Sequence, residues 1–110
     1  MYFKGKILIE EPGAPNPERL SIVEADNIRE AYAKLIHTYR QMAAGVAPEF
    51  VDGKVIFRHG RVTYTIVGVE RTTLEGFMFE HLLVCHEWWG ETDYAEEALA
   101  HRGRVGKVTF

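Results

Sequence analysis

Hydrophobic positions along this chain recur at two spacings, and the change from one to the other marks out its elements. Residues 2–10 are rich in aromatic and β-branched side chains and predict a strand. The stretch Glu11-Pro12-Gly13-Ala14-Pro15-Asn16-Pro17 then breaks regular structure, because its prolines fix φ and remove backbone donors. Residues 20–25 resume a strand pattern that pairs antiparallel with the first. Asp26 follows as an expected N-cap, its carboxylate placed to accept from the unpaired amides of a first helical turn. Ile28, Ala31, Tyr32, Leu35, Ile36 and Tyr39 are separated by threes and fours, which puts them on one helical face, and Gly45 with Pro48 supplies a stop.

A second hairpin is expected from residues 54–58 and 61–69, joined through His59-Gly60. Its second arm, Val62-Thr63-Tyr64-Thr65-Ile66-Val67, is the strongest strand signal in the chain. Thr72 and Glu75 have capping-box spacing, and Leu74, Phe77, Met78, Leu82, Cys85 and Trp88 or Trp89 fall at helical intervals up to Gly90, predicting a second helix. The competing reading makes residues 77–85 a strand, since Phe77, Phe79, His81, Leu83 and Cys85 also alternate; Gly76 weakens the helix by about 1 kcal/mol relative to alanine. Asp93 with Glu96 caps a short third helix through Arg102, and residues 105–110 form a last edge strand.

The expected fold class is therefore α+β, one domain over residues 1–110. It has a single antiparallel sheet of four to five strands with two or three helices on one face, in ββαββα(α) order. Ser21-Ile22-Val23-Glu24-Ala25-Asp26 lines up with Thr65-Ile66-Val67-Gly68-Val69-Glu70, so both halves read as strand, strand, helix. That similarity suggests an internal duplication, against the alternative that any two hairpin–helix units look alike at this level.

Composition adds that 46% hydrophobic and 26% charged residues are those of a folded globular chain, so disorder is not expected. No apolar run approaches the ~20 residues of a membrane span, and the N-terminus lacks the long apolar stretch of an export signal. The single cysteine, Cys85, precludes an internal disulfide and suits a reducing compartment. A cytoplasmic location, in a cell or an infected host, is expected, with no membrane partner.

Charge changes the picture more. Between Arg71 and Arg102 there is no lysine or arginine, while Glu75, Glu80, Glu87, Glu91, Asp93, Glu96 and Glu97 accompany the pair Trp88-Trp89. Up to position 71 the ten basic and nine acidic residues nearly cancel. Adjacent tryptophans point about 100° apart on a helix and to opposite faces on a strand, so both can hardly enter one core. An indole at the surface among carboxylates is a contact feature: it offers large apolar area, and the surrounding acids steer a cationic partner. Trp88, Trp89, Glu87, Glu91, Asp93, Glu96 and Glu97 are the expected partner-binding residues of a non-enzymatic inhibitor, adaptor or regulator that docks on a basic protein surface. Small accessory proteins of phages and other mobile elements share this size and charge character, but no motif assigns a family. Exposed sheet edges and a surface tryptophan favour self-association, with a homodimer as the commonest closed form.

Two rival readings stay open. Lys54, Arg58, His59 and Arg61 surround the second hairpin turn and would touch phosphate in a nucleic-acid-binding module, although the net charge of −3 opposes it. His81 and Cys85, with His86, begin a ligand set for a metal or small-molecule enzyme but lack a second close pair. No catalytic constellation and no phosphate-cradling glycine pattern occurs, and no cofactor is expected.

Overall fold

The computed structural model describes residues 1–15, 17–73, 82–83 and 92–105; for Leu82, Leu83, Thr92 and residues 102–105 only the backbone is described. In chain order the elements are β1 (Tyr2–Glu10), β2 (Glu18–Glu24), α1 (Ile28–Met42), β3 (Glu49–Val51), β4 (Lys54–His59), β5 (Val62–Thr72), β6 (Leu82–Leu83) and α2 (Thr92–Val105). Five strands form one antiparallel sheet, β3-β4-β5-β1-β2, and β6 adds two residues parallel to β2 at its outer edge. The α+β class and the single sheet agree with the sequence, and the described helices are two.

β1 lies at the centre because its side chains suit both neighbours and one covered face. Phe3, Gly5 and Ile7 are buried, alternating with the half-buried Tyr2, Lys4, Lys6 and Leu8. This period-two pattern fixes which side meets the helices, since a slip by one residue would turn the lysines inward. Against β5 the register shifts between Lys6 and Ile7, which pair with Gly68 and Ile66, leaving Val67 as the extra residue of a bulge.

α1 packs on the face that carries Phe3, Gly5, Ile7, Val23 and Val69. Its inward side is the one the spacing predicts: Ala31, Tyr32, Leu35, Ile36 and Tyr39 are buried, with Ala33 in addition, and Ile28 is half-buried. Each of the larger side chains contributes roughly 1.5–3 kcal/mol by leaving water. Gly5 sets how closely the helix approaches, since a Cβ built there would lie 2.8 Å from Leu35 Cδ1. Below that contact Ser21 and Tyr39 share a buried hydrogen bond of 2.7 Å. Burial pushes the Tyr39 phenol above its ordinary value of 10.0, while the Ser21 hydrogen bond and the Arg19 charge pull the other way.

The helix starts one residue later than Asp26 as cap would place it. Asn27 is the N-cap, its Oδ1 accepting from Glu30 N at 2.9 Å, and the Asp26 amide donates to Glu30 Oε2 at 3.2 Å. The amide side chain thus takes the role expected of the neighbouring acid, and Glu30 closes a capping-box arrangement that Asp26 joins through its backbone. At the other end Gly45 N donates to Arg40 O at 2.8 Å, with Ala44 and Gly45 both at positive φ.

The second hairpin turns at Gly60-Arg61, since His59 pairs with Val62, so the predicted His59-Gly60 connection is shifted by one. Gly60 has φ of 61°, which a hairpin turn of this length demands at its first position. β3 is a strand the sequence reading omitted. It joins β4 through Asp52-Gly53, where φ is positive at both residues, as in a type I′ turn.

The helix expected over residues 72–90 is contradicted at the points that can be judged. Thr72 closes β5, and Leu82-Leu83 pair with Ile22-Val23, in keeping with the competing strand reading at those two positions; the remainder of that stretch lies outside the described residues. Period alone misleads there because a short apolar run fits both templates. The helix expected from Asp93 is α2, with Asp93 inside its first turn and Val105 at its end, so Val105 does not begin a strand. The duplication finds limited echo. The hairpins β1-β2 and β4-β5 stand side by side, but α1 follows β2 after residues 25–27, whereas residues 73–91 separate β5 from α2.

Candidate functional site

α2 is held by small residues. Ala95 and Ala98 are fully buried and Leu99 half-buried, three and four positions apart, so one side of the helix meets α1 closely. Tyr94 lies against the rest of the core: the Arg40 guanidinium sits 5.3 Å from its ring centroid and Phe50 of β3 lies 6.4 Å away. Phe50 also stacks on His101, with centroids 5.4 Å apart and planes at 22°. Phe50 pairs with Val55, which belongs to the same sheet face as Ile66 and Ile7, so α2 and α1 cover one face side by side.

Asp93, Glu96 and Glu97 fall on the other side of α2, all exposed, again at offsets of three and four. Their placement follows from the packing: once the alanines face inward, the 3.6-residue period turns these carboxylates outward together. Two have neighbours. Glu96 pairs with Arg29 at 2.9 Å, both side chains at least half exposed, and Glu97 lies 4.0 Å from His101 Nε2. The Arg29–Glu96 pair, so open to water, is worth at most about 1 kcal/mol, and all three carboxylate side chains stay exposed. Asp93, in the first turn, also opposes the positive end of the helix dipole.

No protein-family model, curated protein or solved structure matches this chain.

The residues around the second hairpin do not converge. Lys54 and Arg58 point to the side of the sheet away from α1 and α2 with Ile56 between them, His59 alternates to the opposite side, and Arg61 occupies the turn. All four are exposed, and Arg58 Nε donates to Glu49 Oε2 at 2.6 Å, so the best-placed cation already meets a carboxylate. Phosphate would have to displace Glu49, and the remaining cations lie on different sides of the hairpin.

Trp88, Trp89, Glu87 and Glu91 lie outside the described residues, as do His81, Cys85 and His86. Among the described residues no group of three or more His, Cys, Asp or Glu side chains is arranged to hold a metal ion, and no helix is long and apolar enough to cross a membrane. Arg29, Arg40, Phe50, Tyr94 and His101, which frame the acidic face, were not singled out from the sequence. Their pairings join α1, α2 and β3 across long sequence separations, and the only local signal was the Asp52-Gly53 turn that creates β3.

Proposed function

We propose that this chain is a small non-enzymatic interaction protein, of inhibitor, adaptor or regulator type, that docks the carboxylate side of α2 on a cationic macromolecular surface. What carries this reading is that Asp93, Glu96 and Glu97 emerge together from one exposed helix face whose opposite side is buried through Ala95 and Ala98. A helix seated through Ala95 and Ala98 keeps its outer face in water, where like-signed carboxylates raise the encounter rate with a basic surface. Glu87, Trp88, Trp89 and Glu91 adjoin this helix in the sequence, and an indole there would supply the apolar anchor that charged rims need. A protein with a groove built for nucleic-acid phosphates is the natural target, because grouped carboxylates satisfy the same cations.

The test is affinity capture with the full chain and with the Glu91→Lys, Asp93→Lys, Glu96→Lys, Glu97→Lys variant, each checked by circular dichroism. Loss of the captured protein with unchanged ellipticity is expected; undiminished capture would remove the reading. The nucleic-acid alternative is less favoured by the geometry. It predicts salt-sensitive nucleic-acid binding that an Arg58→Ala, Arg61→Ala double variant abolishes.

A further inference from the structure

The side of the sheet turned away from α1 and α2 is not buried evenly. Leu8 lies there between Glu18 and Thr65 of the adjacent strands, and Ile56 between Thr65 and Glu49, yet both stay half-buried. Neighbours within the sheet thus shield a large aliphatic side chain only in part, although they suffice for the smaller Thr65, 5% exposed between Leu8 and Ile56. Ile22 is different. Opposite Lys4 on β1 and Leu82 on β6, it is 0% exposed. Ser21 and Val23 on either side of it turn toward α1, where Ser21 bonds Tyr39, so strand alternation points Ile22 away from the helix. Among the described residues no element lies over it.

We infer that the connection from β5 to β6, residues 73–81, docks on the outer face of β1 and β2 with Ile22 as its seat. The topology selects that occupant. β2, β3, β5 and β6 all run in one direction, since each antiparallel neighbour reverses the chain and β6 is parallel to β2. Two connections therefore join parallel strands of one sheet: β2 to β3 through α1, and β5 to β6 through residues 73–81. They travel opposite ways, because β3 ends the strand order on one side and β6 on the other. Such crossovers are almost always right-handed, and two right-handed crossovers with opposite directions of travel lie on opposite faces. α1 takes one face, which assigns residues 73–81 to the other. The path leads past Ile22, because β5 ends with Thr72 opposite Tyr2, whereas β6 begins with Leu82 beside Ile22. Its span is three strand spacings, about 14 Å. Nine residues reach about 30 Å when extended, which leaves length to pack. Leu74, Phe77, Met78 and Phe79 give the connection the apolar side chains that burying Ile22 requires. The β2 end of the sheet is then apolar on both sides and closed to a partner, whereas Lys54 and Arg58 stay exposed at the β4 end.

Photo-cross-linking of the full chain tests it, with p-benzoylphenylalanine placed at Lys4 or at Leu20, the half-buried neighbours of Ile22 on the same face, and at the exposed Arg19 on the opposite face as control. Mass spectrometry of the digested monomer band should place the products from positions 4 and 20 within residues 73–81 of the same chain, and those from position 19 elsewhere. Products confined to residues 84–91 or 106–110, products only between two chains, or no product in residues 73–81 from either position would overturn the inference. A second measurement uses Ile22→Cys in a chain whose single cysteine is removed by Cys85→Ser. Its thiol should react with a soluble disulfide reagent about a hundredfold more slowly than in urea, and Phe77→Ser, Phe79→Ser should raise the native rate about tenfold with circular dichroism unchanged. An unchanged rate in that folded variant would contradict the assignment; should the variant not fold, the cross-links decide alone.

Discussion

The two helices lie side by side on one sheet face, yet they are attached in different ways. α1 sends Tyr32, Leu35, Ile36 and Tyr39 into the core, is capped by Asn27, and meets the sheet so closely that Gly5 has no room for a side chain. α2 is fastened by Ala95 and Ala98, a half-buried Leu99 and the rings of Tyr94, Phe50 and His101. Apolar area decides the difference, since a buried Leu or Ile contributes several times what a buried alanine does. α1 therefore belongs to the folding core, whereas α2 is a lightly held element whose Asp93, Glu96 and Glu97 side chains stay in water.

That contrast is most readily broken by truncation. Ile36→Ala should cost about 2–5 kcal/mol in urea unfolding, while Leu99→Ala should cost clearly less because its side chain already meets water. Equal losses would make α2 as integral to the core as α1. Enlarging Gly5 sharpens the same point: Gly5→Val should destabilise by about 1–3 kcal/mol, because the added carbons enter space held by Leu35. Suppression by Leu35→Ala in the same chain would identify that contact as the cause.

A smaller effect is set by pH. The folded-state pKa of Tyr39 lies above 10.0, so the native state holds its phenol proton more tightly than the unfolded chain does. The associated stability is complete below pH 10.0 and is lost as pH rises through the folded value. Tyr39→Phe should remove this part of the alkaline destabilisation; a variant curve parallel to wild type would contradict the burial argument. The smallest effect belongs to the bridge between the helices. A double-mutant cycle on Arg29→Ala and Glu96→Ala should return at most about 1 kcal/mol, because both side chains stand half in water.

Much of the α1 half was legible in the sequence. The alternation in β1 and the three-and-four spacing from Ile28 to Tyr39 are long enough to reject the other period, and only the cap moved, from Asp26 to Asn27. β3 was missed because three residues carry no periodicity, although Asp52-Gly53 marks a hairpin turn by itself. Residues 77–85 fitted two periods at once, and the backbone pairing of Leu82-Leu83 with β2 depends on a strand sixty positions earlier in the chain. The acidic character of α2 was visible as a gap in lysine and arginine. Its partners Arg29 and Arg40 were not, since nothing local ties positions in α1 to positions in α2.

The central claim, that the outer carboxylates of α2 form a cation-seeking surface, is tested most directly by fluorescence anisotropy with a labelled arginine-rich peptide at several salt concentrations. Wild type is expected to bind with an affinity that falls steeply as salt rises. Asp93→Lys, Glu96→Lys, Glu97→Lys is expected to lose that binding, and Glu10→Lys, Glu11→Lys, Glu24→Lys, an equal change in net charge placed elsewhere, is expected to keep most of it. Equal loss in the two triple variants, or none in either, would contradict the account.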